Sequence, residues 1–123
     1  MTALAKQDDA NGTHDTAQAW TDVGEMTSLF AQSACHGVAI DGRRIGLFCV
    51  EGRVHAIDDI CTHGNALLSE GELDGHAIEC PLHAGLVDVR DGRALCSPMT
   101  RDTVVHDVRL ADGRVWIHIG VAS

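Results

Sequence analysis

The chain has 123 residues, the length of one domain with a modest core and too little material for two. Acidic residues outnumber Lys and Arg by 18 to 9, and the resulting formal charge of −9 argues against nucleic acid as a partner, because phosphate backbones repel such a surface. Aromatic residues make up 3% and Tyr is absent, so the core must be built from Val, Ile, Leu and Ala, which suits narrow β-layers better than a large ligand pocket.

Residues 1–19 are rich in Asp, Asn, Gly, Thr, Gln and Ala without apolar periodicity, and are expected to form a disordered tail. Ala3-Leu4-Ala5 runs straight into Lys6-Gln7-Asp8-Asp9, which lacks the apolar stretch of a signal peptide. No segment approaches the ~20 apolar residues of a membrane span. A cytoplasmic, membrane-free protein is therefore expected. In such a reducing compartment the five Cys are better read as ligands or core residues than as disulfides, and their odd number agrees.

Trp20 is the first residue expected to anchor in a core, opening a single domain over 20–123. A short helical turn is expected around Glu25–Ala31. From Val38 onward, short apolar runs are separated by Asp41-Gly42, Glu51-Gly52, Asp74-Gly75, Asp91-Gly92 and Asp112-Gly113. Such pairs suit tight antiparallel connections, since Gly supplies positive φ and Asp tolerates it. Ile45-Gly46-Leu47-Phe48-Cys49-Val50 is continuous and reads as a strand buried on both faces, with Cys49 a small core residue. Short strands are expected near Ala77–Glu79 and Leu86–Val89. Val104, His106, Val108 and Leu110 alternate with Val105, Asp107 and Arg109, and Val115, Ile117 and Ile119 alternate with Trp116 and His118. The two runs flank Asp112-Gly113 as the arms of a hairpin. An all-β antiparallel sandwich or small barrel follows.

The segment from about 58 to 98 interrupts this rhythm with Gly, Pro, Cys and His in loops, the kind of region that carries function on a rigid scaffold. It holds Cys61-Thr62-His63-Gly64 and Cys80-Pro81-Leu82-His83, with sixteen residues between His63 and Cys80. Each motif supplies one thiolate and one imidazole, ligands that select zinc, copper or iron–sulfur over calcium or magnesium. A structural zinc site also accepts two Cys and two His, though its pairs usually run Cys with Cys and His with His. His36, His55, His76, His106 and His118 read as ordinary surface or core residues, and Cys96 as a packing residue beside the segment.

The spacing Cys-x-His, sixteen residues, Cys-x-x-His resembles that of Rieske proteins, in which two Cys hold one iron and two His the other. The runs Leu68-Ser69-Glu70-Gly71, Ile78-Glu79-Cys80-Pro81-Leu82-His83 and Gly92-Arg93-Ala94-Leu95-Cys96 resemble the Rieske ferredoxins of bacterial aromatic-ring-hydroxylating dioxygenase systems. Val54-His55-Ala56-Ile57 resembles the strand leading into their first cluster loop. The resemblance implies one Rieske-type [2Fe–2S] cluster on Cys61, His63, Cys80 and His83, with the histidines nearest solvent and the cysteines deeper. It implies an antiparallel base with an inserted cluster-binding subdomain at about 58–98. It also implies a non-catalytic, monomeric one-electron carrier between an NAD(P)H-dependent flavoprotein reductase and a terminal ring-hydroxylating oxygenase. A Rieske-like subunit of another reductase, such as a nitrite reductase, is the alternative.

Two imidazoles in place of two thiolates leave the oxidised centre near neutral, which raises its potential to a family range of about −150 to +300 mV. High-potential relatives add a Cys to each loop, where this chain has Ala66 and Leu82, and a Ser where it has Gly85. With neither these groups nor a Tyr hydroxyl, fewer hydrogen bonds would stabilise the reduced state, so the low end of the range is expected.

Overall fold

The computed structural model describes residues 20–61, 66–81, 85–96 and 102–120. Two antiparallel sheets dominate. The larger has six strands in the order β1-β10-β9-β4-β3-β2, namely β1 (Thr21–Glu25), β2 (Cys35–Ile40), β3 (Arg43–Val50), β4 (Arg53–Asp58), β9 (Val105–Ala111) and β10 (Arg114–His118). The smaller has four strands in sequence order, β5 (Glu72–Asp74), β6 (Ala77–Glu79), β7 (Leu86–Asp88) and β8 (Ala94–Cys96). The only α-helix among the described residues is the single turn α1 (Met26–Leu29), where the sequence placed it. The fold is thus the all-β antiparallel architecture expected.

Three of the five Xaa-Gly pairs are two-residue hairpin turns. Asp41, Glu51 and Asp112 adopt φ of 52°, 53° and 54°, and each is followed by a Gly at positive φ. Two consecutive positive values match the right-handed twist of the flanking strands. Asp74-Gly75 differs by one residue: Asp74 still pairs with Ala77, so the turn is Gly75-His76.

β3 explains the continuous apolar run. Ile45 and Leu47 enter a core shared with Val54 and Ala56 of β4 and with Val115 and Ile117 of β10. Phe48 and Val50 belong to a second core with Ile57 of β4, Leu68, Ile78, Val87 and Val89. One strand therefore serves as the wall between two interiors, and both its faces are apolar because both are covered. Val23 of β1 and Val38 of β2, from opposite edges of the six-stranded sheet, pack onto the first core, which requires that sheet to curl toward a barrel.

Cys49 is half-buried rather than a full core residue, as is Cys35. Alternation along β9 is weaker than expected, because Leu110 is exposed although His106 on the same face is buried. Trp20 is half-buried, with the Arg109 guanidinium 4.5 Å above its ring and His118 5.6 Å away. Residues 1–19, expected to be a tail, lie outside the described residues. Among the described residues no helix is long and apolar enough to cross a membrane.

The chain leaves the six-stranded sheet at Asp58 and returns at Val104, and these two residues are joined by the Asp58 N–H donating to the Val104 carbonyl at 2.9 Å. Asp58 is also a side-chain hub. Arg43 donates to it from Nε and Nη2 at 3.1 and 3.2 Å, and His106 Nε2 lies 2.8 Å from Oδ1. Gly120 N–H donates to His106 Nδ1, so Nε2 carries the proton and the imidazole is neutral. Burial lowers the His106 pKa, and the Asp58 hydrogen bond opposes that shift.

Candidate metal centre

Both cysteine motifs sit at the heads of hairpins. In the first, Ile60 bridges Leu67 and the Cys61 N–H donates to the Ala66 carbonyl at 2.8 Å. In the second, Glu79 pairs with Leu86 and the Cys80 N–H donates to the Gly85 carbonyl, again at 2.8 Å. Each cysteine amide is thus bound to the carbonyl five residues ahead, with residues 62–65 or 81–84 lying between the two in sequence. His63 is the second of its four and His83 the third, the difference between Cys-x-His and Cys-x-x-His. Both histidines lie outside the described residues.

The structure brings Cys61 and Cys80 into one interior. They are 2% and 1% exposed and share the second core with Ala66, Leu68, Ile78 and Val87. Ala66, where a disulfide-bearing relative would have Cys, fills this core as a small apolar residue, 8% exposed. Two soft thiol donors at the heads of matching hairpins, walled by aliphatic side chains, fit a compact iron–sulfur centre kept from water.

The hairpins are held to each other as well. The 3₁₀ turn Leu68–Glu70 follows the first and ends at Gly71, where a Cβ would collide with the Glu79 carbonyl, one residue before Cys80. Only glycine permits that approach. The surface beside the second hairpin is acidic: Glu72 and Glu79 face each other across β5 and β6, and Glu70 and Asp74 lie nearby, both exposed. Directly opposed like charges cost stability in a sheet.

Asp59 joins the site without a signal in the sequence. It is fully buried, two residues before Cys61, and both carboxylate oxygens accept hydrogen bonds from Ser69. Nothing local in the sequence marks it, because an Asp beside Asp58 reads as a solvated loop. His55, assigned no role, sits on β4 with its ring edge-on to that of His76, 6.4 Å between centroids, and burial lowers its pKa.

The sequence matches the Rieske [2Fe-2S] domain family over residues 19–111. The chain belongs to that family. It is 41% identical over 100 residues to the ferredoxin component of the naphthalene 1,2-dioxygenase/salicylate 5-hydroxylase systems of a Ralstonia species, covering 81% of this chain and 95% of the relative. It is 45% identical over 83 residues to the ferredoxin component of the Pseudomonas putida naphthalene 1,2-dioxygenase system, covering 68% and 80%. Its fold is similar to a structure described as a complex of reduced oxygenase and oxidized ferredoxin in carbazole 1,9a-dioxygenase. The match has a TM-score of 0.76 and 33% identity, over 84% of this chain and 97% of the matched one. The cofactor of this chain is accordingly a Rieske-type [2Fe–2S] cluster, and the protein is an electron-transfer component rather than a catalytic subunit.

Proposed function

We propose that Cys61 and Cys80 hold one iron of the cluster and His63 and His83 the other, at one tip of an insertion spanning about 58–98. The protein would carry single electrons from an NAD(P)H-dependent flavoprotein reductase to a terminal aromatic-ring-hydroxylating oxygenase. The observation that carries this proposal is the matched pair of hairpins, each placing a buried cysteine at its head in one aliphatic interior. When bound, the cluster supplies reversible one-electron redox chemistry.

The chain's own residues do the rest. Ile78, Val87, Leu68 and Ala66 exclude water from the sulfur ligands. The amides of Cys61 and Cys80 are fixed within their loops, so ligand geometry changes little between redox states. The acidic strip on β5 and β6 gives a partner's basic patch an electrostatic target beside the second hairpin. A monomer in the cytoplasm, meeting both partners in small transient contacts, fits this arrangement.

Metal and acid-labile sulfide analysis, with EPR before and after dithionite, is the decisive measurement. Two irons, two sulfides and a Rieske signal on reduction are expected, with a potential toward the low end of the family range. One zinc without sulfide would sink the proposal. In a reconstituted system, transfer to an oxygenase should slow with added salt, and a salt-independent rate would remove the acidic strip from the account.

A further inference from the structure

β2 and β3 pair so that Gly37 lies directly opposite Gly46. Two glycines at one cross-strand position leave a notch in the face of the sheet, and the Asp59 carboxylate occupies it. A Cβ on Gly37 would fall 2.9 Å from Asp59 Oδ2 and 2.9 Å from Ser69 Oγ; one on Gly46 would fall 2.8 Å from Asp59 Oδ1. The Phe48 ring closes the Gly46 side, with Cε2 2.9 Å from the same Cβ position, so the notch is filled by the Asp59 carboxylate together with Phe48 and Ser69.

Asp59 is tied on every side. Its N–H donates to the Arg44 carbonyl at 3.1 Å, and its own carbonyl accepts from the Leu68 N–H at 2.7 Å. Ser69 N–H donates to Oδ1 at 2.7 Å and Ser69 Oγ to Oδ2 at 2.6 Å. Arg44 Nη2 lies 3.5 Å from the same Gly37 Cβ position, so a guanidinium stands at the rim of the notch. The Leu68 bond, with that from Cys61 N–H to the Ala66 carbonyl, makes the isolated bridge Ile60↔Leu67, and the two Ser69 bonds add a side-chain closure at the base of the first hairpin.

We propose that Asp59 is a positioning residue for the cluster: a carboxylate plug that seats the first cysteine loop in the Gly37/Gly46 notch and holds the reduction potential down. The inference rests on Cys61 being a cluster ligand. Two residues of chain separate the Asp59 and Cys61 backbones by at most about 7 Å, and Gly46 lies on the face of β3 that carries Phe48 and Val50 into the cysteine interior, so the carboxylate borders that interior. An electron added beside a buried anion is repelled, and low-dielectric surroundings screen that repulsion weakly.

The test uses full-length holoprotein and redox titration followed by EPR. Asp59→Asn keeps the shape and removes the charge, so its potential should rise above wild type. Ser69→Ala keeps the charge and removes its closest donor, so its potential should fall. A residue that only braced the loop would shift both variants the same way, and that result, or an Asp59→Asn potential equal to wild type, overturns the proposal. Gly37→Ala crowds the plug and should release iron to a chelator ~10-fold faster, the scale of outer-shell effects on metal affinity, with unchanged circular dichroism. Should Asp59→Asn assemble no cluster, the other two variants decide: a wild-type potential in Ser69→Ala together with wild-type iron release in Gly37→Ala overturns the proposal. A wild-type protein without a Rieske signal would instead sink the ligand assignment, and this inference with it.

Discussion

The two cysteine hairpins end alike and are supported differently. The second is carried by backbone, since β6 and β7 pair at Ala77↔Asp88, Ile78↔Val87 and Glu79↔Leu86 before the chain reaches Cys80. The first has one bridge, Ile60↔Leu67, and takes the rest of its definition from the buried Asp59 and its Ser69 partners. A ladder fixes register through groups every residue has, whereas a side-chain plug fixes it through one residue and the cavity that receives it. Equivalent ligand positions can therefore differ in how much sequence they depend on.

Removing the shared feature should erase the difference. Cys61→Ser and Cys80→Ser should each abolish the cluster, measured as loss of the reduced EPR signal and of iron; a variant that kept both would strike its cysteine from the ligand set. The joint between the hairpins comes next. Gly71→Ala puts a methyl group into the Glu79 carbonyl, a clash with backbone that cannot rotate away. It should lower both thermal stability and cluster content, and a wild-type melting curve would show the hairpins to be less tightly joined than described.

Flanking residues separate the two supports. Ile78, fully buried beside the second hairpin, should cost about 2–5 kcal/mol on replacement by Ala, read from urea unfolding. Ile60, 51% exposed beside the first, should cost no more than about 0.5 kcal/mol. Equal costs would erase the contrast. The smallest effect concerns neither hairpin. Burial holds the His55 and His106 pKa values below the ordinary 6.5, so the unfolded chain binds more protons just below that pH. Stability should fall as pH drops through 6.5 toward the lowered values, seen as a lower urea midpoint at pH 5.5 than at 7.5. His106→Gln should flatten that dependence.

Much of this was legible in the sequence because it depends on neighbours in the chain. The turns at Asp41-Gly42, Glu51-Gly52 and Asp112-Gly113, the single turn at Met26–Leu29, the strands Ala77–Glu79 and Leu86–Asp88 and the two-sided burial of β3 are all local consequences of turn chemistry or period. The depth of Cys61 and Cys80 was legible only through family resemblance. Features set by cross-strand register were not. Gly37 and Gly46 look unremarkable apart, and become a notch only once β2 and β3 pair them. Asp59 and His106 are polar residues whose burial depends on partners ten and forty-eight positions away. The strand β1 was missed because its pairing is with β10, and a bulge between Asp22 and Gly24 interrupts its pattern.

The shared wall formed by β3 also bears on how the protein opens. Phe48 and Val50 face the cysteine interior while Ile45 and Leu47 face the barrel, so neither half can shed its core without exposing a face of the same strand. The two sheets should then exchange their most protected amide hydrogens together, with β3 among the last to exchange. Release of iron through opening of the cysteine interior would follow that shared event, and loosening the barrel at Leu47 would be felt at a metal it does not touch.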